Sequence, residues 1–296
     1  SGLLVCISTF NLLAFVIYAA IKYPEFHCPR IKEFDKEHIR GLSNFAGWTV
    51  YSTGCVIARN QGISVVLNLF YGTLVNSAYG VAQQVSGAVQ FLSTSILNAM
   101  NPQIMKAEGA GERNKMLHLC ELASKYAFLL LSLVAIPLVA EMDTILQLWL
   151  GDVPEHAVMF CQFILVAAMC DQISIGLTSA NQAIGELRTY NIVFYTLKLF
   201  VVVIGWICLK CNLPISSIMW SYVVIEMLTS LLRLPLMKHI ANIDISRFCK
   251  NVFLRIIVPC LTMVIVCYLS ITYISHPWRV IITFLFAAGA GMLTIW

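Results

Sequence analysis

Apolar runs of membrane-crossing length follow one another along almost the whole chain, and they decide what it can fold into. A helix needs about 20 mostly apolar residues to cross the hydrocarbon core of a bilayer. On that ruler the 296 residues hold nine candidate spans, at 2–21, 42–70, 75–104, 116–142, 157–184, 190–209, 213–237, 252–274 and 280–296. The runs are continuous, not alternating, which favours helices over a β-barrel. Hydrophobic residues make up 59% and charged residues 11%, where a soluble domain carries about 25% charged residues. A chain this poor in charge cannot cover itself with polar surface, so lipid is part of its solvent. The expected class is an all-α integral membrane protein. The run at 2–21 lacks the basic n-region and cleavage site of a signal peptide and reads as a span. Ser1 and Trp296 both lie inside apolar runs, so the chain is expected to be a fragment.

The basic residues orient these spans. Lys22, Arg30, Lys32, Lys36 and Arg40 fall in one polar segment, and Lys106, Arg113 and Lys115 in the next connection on that side. Arg188 follows in a third, and Arg233, Lys238, Arg247, Lys250 and Arg255 in a fourth region. Fourteen of the 19 Lys and Arg thus fall on one side, and the other side's connections hold only Lys210 and Arg279. The positive-inside rule makes the basic side cytoplasmic. Trp149, Trp206, Trp220 and Trp278 fall near outer span ends, and Trp48 and Trp296 near inner ends, as interfacial belts do. A net charge of +4 is too small to suggest a nucleic-acid partner. The 11 cysteines are scattered singly, as small buried apolar residues would be. Cys208 and Cys211 form the one C-x-x-C, away from any βαβ unit, and His27–Cys28 has no partner pair at zinc spacing. No catalytic constellation, metal site or cofactor is expected.

Polar side chains inside a span must face protein or a cavity. The second run carries Thr49, Thr53, Asn60, Ser64 and Asn68 at spacings that keep one helical face, with Arg59 one step around. The third carries Gln83, Ser86, Gln90, Thr94 and Asn98. Later runs carry Asp171, Ser174, Thr178 and Asn181; Asn191, Tyr195 and Lys198; and Tyr222, Glu226, Thr229, Ser230 and Arg233. The fourth, eighth and ninth runs are almost wholly apolar and are expected to face lipid. Arg59, Asp171, Lys198 and Glu226 lie deep inside runs, where an ionisable group is costly and marks either function or a buried ion pair.

The stretch from Trp48 to Glu112 carries a family resemblance. It reads Arg59-Asn60-Gln61-Gly62, Leu67-Asn68-Leu69-Phe70-Tyr71-Gly72, Val75-Asn76-Ser77-Ala78-Tyr79-Gly80 and Asn101-Pro102-Gln103-Ile104, and Gln182 to Tyr190 adds a second cluster. This resembles the polysaccharide-flippase branch of the multidrug/oligosaccharidyl-lipid/polysaccharide (MATE-like) exporter superfamily. The resemblance implies that 1–21 is the last helix of an N-terminal lobe and 22–41 a cytoplasmic inter-lobe connector. It makes 42–240 a six-helix C-terminal lobe and 241–296 an extra peripheral helix pair. It also implies a bacterial inner-membrane protein that flips an undecaprenyl-pyrophosphate-linked oligosaccharide for O-antigen, capsule or similar polysaccharide synthesis. Arg59 and Lys198 suit a cationic cavity for diphosphate, and Asn60, Ser64, Asn68, Gln83, Gln90 and Thr94 suit sugar hydroxyls. Asp171 and Glu226 are an ion-coupling site or ion-pair partners. They keep open a second reading, a multidrug exporter coupled to H+ or Na+. A membrane glycan polymerase or ligase is a third, but His156 and His276 stand singly where it would need a catalytic outer loop.

Overall fold

The computed structural model describes residues 2–22, 36–273 and 279–295, and among these every regular element is a helix. In order they are α1 (Gly2–Lys22), α2 (Lys36–Gly109), α3 (Arg113–Ala140), α4 (Met142–Leu150), α5 (Ala157–Gln172) and α6 (Ile175–Ile184). There follow α7 (Leu187–Lys210), α8 (Ser216–Ala241), α9 (Ile245–Phe248), a π turn (Cys249–Phe253), α10 (Leu254–Tyr273) and α11 (Arg279–Ile295). The expected connector at 22–41 lies mostly outside the described residues, as do His27, Cys28, His276, Trp278 and Trp296.

The chain divides into two units, Ser1–Gly47 and Trp48–Trp296. The first contains α1, an apolar helix closed by Lys22 Nζ donating to Tyr18 OH at 2.8 Å. The first unit also holds the start of α2, as far as Gly47, and the second unit contains the rest.

α2 is two helices in one. At Gly72 the backbone takes φ 79° and ψ −173°, a combination almost confined to glycine. Within the second unit the two arms, 48–71 and 73–109, fold back on each other there. Ser64 Oγ donates to Asn76 Oδ1 at 2.6 Å, although twelve residues of straight helix would separate them by about 18 Å. α5 and α6 are likewise one apolar run broken at Ile173–Ser174, with a bend of 46°; Ser174 leaves the helical region at φ −121°, ψ 19°. The sequence reading has an unbroken span over 157–184.

Five helices among the described residues are long and apolar enough to cross a membrane, or six if the bent α5–α6 pair is one span. The difference from nine has local causes. The second and third expected spans are joined through Gly72. The apolar stretches Cys6–Tyr18, within α1, and Arg279–Leu293, within α11, are not counted among the five.

The largest core cluster draws Ile63 and Leu67, Ala78 and Tyr79, Leu131, Phe160, Ile164, Ile218 and Tyr222 together from both arms of α2 and from α3, α5 and α8. A second cluster gathers Ile104, Met116, Tyr190, Phe194, Met237 and Phe248 at the other end of the bundle. α3 overturns an expectation here. It was assigned to the lipid-facing layer for its apolar composition, yet it packs against α5, α6, α10 and α11 and buries half its residues. In a membrane protein apolar side chains suit both a protein neighbour and lipid, so composition does not separate the two. Gly176 shows how closely α3 is held: a Cβ there would sit 2.1 Å from the Cys120 carbonyl oxygen. α10 and α11 pack on each other and on α3, with Val258, Leu261, Leu285 and Phe286 on exposed faces.

Candidate functional site

Five ionisable side chains from four helices meet inside the second unit: Arg59 on α2, Asp171 on α5, Lys198 on α7, and Glu226 and Arg233 on α8. Lys198 lies at the midpoint of its 24-residue helix, about 17 Å from either end. Glu226 and Arg233 are seven residues apart, two turns along one face of α8. Asp171 sits on the last turn of α5, immediately before the break.

The pairing is continuous. Arg59 Nη1 donates to Glu226 Oε1. Lys198 Nζ donates to Asp171 Oδ1 at 2.9 Å. It also lies 2.8 Å from Glu226 Oε2, an ion contact whose angles do not make a hydrogen bond. Arg233 Nη2 donates to the same Asp171 Oδ1 at 2.6 Å. Its Nη1 donates to the Asp171 main-chain oxygen at 3.0 Å and to Ser174 Oγ at 3.2 Å. Thus Arg233 does two things: it neutralises a carboxylate, and it satisfies backbone and hydroxyl groups at the α5–α6 break. A cation at a helix C-terminus is also favoured by the helix dipole. The Arg59 guanidinium lies over the Tyr222 ring at 4.6 Å, a cation–π arrangement.

Burial makes these contacts strong. Side-chain exposure is 8% or less for four of the five, and 21% for Asp171. They line a cavity of about 200 Å³ together with Gln90, Tyr195 and Tyr222 and a few apolar side chains. By charge, three cations face two acids, so the cluster carries one positive charge in excess. Arg233 Nε is buried with no acceptor among the described residues. The arrangement therefore offers a surplus cation and an unused buried donor, the requirements for holding an anion.

Of the residues singled out in the sequence, Arg59, Gln90, Asp171, Lys198 and Glu226 come together at this cavity. Asn60 adjoins it, its Oδ1 accepting from Arg59 Nε at 3.1 Å. Ser64 is engaged with Asn76, and Gln83 Nε2 donates to Tyr79 OH at 2.7 Å. Neither lines the cavity. Asn68 and Thr94 are exposed and do not line it either. The reason is the direction in which α2 packs. Its buried ridge runs through Cys55, Arg59, Ile63 and Leu67, and the Thr53, Asn60, Ser64, Asn68 stripe lies around the helix from it. On the second arm, Ser86 and Ser93 are the buried hydroxyls, Ser93 Oγ donating to Gln172 Oε1 at 2.6 Å.

Arg233 is the residue the sequence reading missed as a site residue, being counted among the cytoplasmic-side charges. Its removal from that group leaves thirteen basic residues there. The signal was its two-turn spacing from Glu226, with Thr229 and Ser230 on the turns between. The ten described cysteines are all free, Cys208 and Cys211 among them. No group of three or more His, Cys, Asp and Glu suited to a metal occurs among the described residues. Comparisons with protein-family models, with curated proteins and with solved structures find no match.

Proposed function

We propose that this chain belongs to a flippase that moves an undecaprenyl-pyrophosphate-linked oligosaccharide across the bacterial cytoplasmic membrane by alternating access. On this reading 42–240 is a MATE-like six-helix lobe and the buried charge cluster meets the diphosphate. The observation that carries the reading is the excess positive charge in a polar cavity far from either end of α7. The cavity has room for a phosphate-sized anion but not for a glycan, since a single water occupies about 30 Å³ of liquid. Sugar hydroxyls would instead meet exposed polar side chains of α2, such as Thr53, Asn68 and Thr94. The broken α5–α6 run adds support, because discontinuous helices at mid-membrane depth are a recurring device of transporter sites. The cation-coupled drug exporter is less well supported. A coupling cation would meet two basic side chains at each acid, and their positive charge repels it.

The test is a flipping assay in proteoliposomes with a labelled undecaprenyl diphosphate oligosaccharide, run beside thermal unfolding. Arg59→Ala leaves Glu226 with Lys198 alone. Arg59→Ala combined with Glu226→Gln removes the pair whole and returns the cluster to its original excess of one positive charge. The expected outcome is that the double variant recovers the melting temperature and not the flipping. Recovery of both would reduce Arg59 to structural glue and remove the anion-binding reading.

A further inference from the structure

A second basic feature lies on the α3–α10 seam and has no part in the charge cluster. α3 and α10 run side by side in a common register. Glu121 and Asn251 define one layer, Asn251 Nδ2 donating to Glu121 Oε2 at 3.0 Å, with Arg247 Nε 3.3 Å from Glu121 Oε1. One turn further along in the same register stand Lys125 and Arg255, two cations at one level on neighbouring helices. Beyond them the seam is apolar, with Phe128 and Leu129 packed on Ile256.

Three observations show that the described protein groups leave the positive charge of this layer uncompensated. Lys125 is 8% exposed, so its stem is buried. Neither Lys125 nor Arg255 has a carboxylate partner among the described residues. The Lys125 ammonium makes no hydrogen bond among the described residues and is not enclosed by them; it lies 5.3 Å from the centre of the Tyr126 ring, and Tyr126 is 42% exposed. The layer also sits at a definite depth. From 256 to 273, α10 is uncharged for 18 residues, a length of about 27 Å, close to the thickness of the hydrocarbon core. On α3 the uncharged stretch 126–140 ends at Glu141, which Arg279 meets with two hydrogen bonds of 2.8 Å. Lys125 and Arg255 therefore mark one edge of the hydrocarbon core, and Glu141 and Arg279 the other.

We propose that Lys125 and Arg255 form a binding site for the phosphate of an anionic phospholipid in the leaflet on the basic side of the membrane. A lipid phosphate at that level would neutralise two like charges that stand at one level without a carboxylate partner among the described residues. Basic pockets between membrane helices on the cytoplasmic side recognise anionic headgroups by this chemistry. Tyr126 would lie beside the headgroup, where aromatic side chains favour the interface.

The site is tested by native mass spectrometry of the full chain in detergent, titrated with phosphatidylglycerol or with phosphatidylcholine of the same acyl chains. The chain should bind phosphatidylglycerol more tightly. Lys125→Gln and Arg255→Gln should each weaken that binding about fivefold, the share of one basic residue near a charged headgroup. Lys125→Arg should retain it, and Lys250→Gln, outside the layer, should leave it unchanged. Melting temperatures of the same samples separate lost binding from lost fold, and Arg255, being exposed, can be replaced even if Lys125→Gln fails to fold. Equal binding of the two lipids, or unchanged binding by Arg255→Gln, would overturn the assignment. Binding of inorganic phosphate as tight as that of the lipid would overturn it as well, making this a site for the free anion.

Discussion

Arg233 shows how much one side chain can settle. It is 3% exposed and holds a carboxylate, a main-chain oxygen and a hydroxyl at once. A lysine presents a point charge where arginine presents a fork, so Arg233→Lys is expected to keep the charge count and lose the contacts that fix the α5–α6 break. Arg233→Ala removes the surplus cation and leaves the break without its donor. Breaking a buried pair costs about 3–5 kcal/mol, and thermal unfolding in detergent should show a loss of that order. Asp171→Asn in the same chain should regain part of it, because the carboxylate no longer needs a partner. A melting temperature unchanged by Arg233→Ala would mean that the cluster does not hold these helices.

At the scale of elements, two glycines decide geometry that helix propensity alone would not. Gly72 turns α2 back on itself in a conformation that side chains avoid, with open space around it. Gly72→Ala is therefore expected to cost about 1–3 kcal/mol through backbone strain alone. Gly176 is helical and has the opposite problem, no space at all. Its amide donates to Ser124 Oγ at 2.9 Å while the Cys120 carbonyl closes over it. Gly176→Ala must push α6 off α3 and is expected to cost about 1–3 kcal/mol by overpacking. Unfolding of the two variants, compared with a control such as Gly87→Ala where a Cβ meets nothing, checks both. Gly176→Ala as stable as the control would show that the α3–α6 contact is looser than described.

For the whole molecule the testable quantity is topology. Basic residues concentrate on one side of the expected spans, which predicts that 22–40 and 240–250 share one compartment. Single cysteines introduced at Lys36 and Lys250, in a chain stripped of its own cysteines, should label together with an impermeant thiol reagent in opened membranes and stay unlabelled in sealed cells. Labelling of either position from outside would invert or break the map. The outer edge offers a second check. Glu141 is 1% exposed and meets Arg279 and Thr144, joining the start of α11 to the α3–α4 junction. Arg279→Ala leaves that carboxylate buried beside hydroxyls only, and should lower the melting temperature by an amount that Glu141→Gln in the same chain restores.

What was legible in the sequence follows from rules that act locally. Helix rather than strand, membrane rather than water, and a break between 70 and 75 all come from runs of apolar residues and their interruptions a few residues long. Four of the five clustered charges were also legible, because a charge inside an apolar run is costly enough to stand out. Which face of each helix turns inward was not. Along α2 the polar stripe pointed one way and packing took Arg59 the other, since the inward face is chosen by what the neighbouring helices present. The same held for α3, whose apolar surface suits lipid and protein equally, and for Arg233, whose position near a span end disguised a buried partner two turns from Glu226. The break after Gln172 carries no proline or glycine at its centre; it exists because Arg233 from another helix supplies the donors that an interrupted helix needs. Sequence determined which segments leave water for the membrane, because that balance is set residue by residue. Tertiary structure alone decided which charges meet and which carbonyls are satisfied, because those depend on distances between helices that no local pattern encodes.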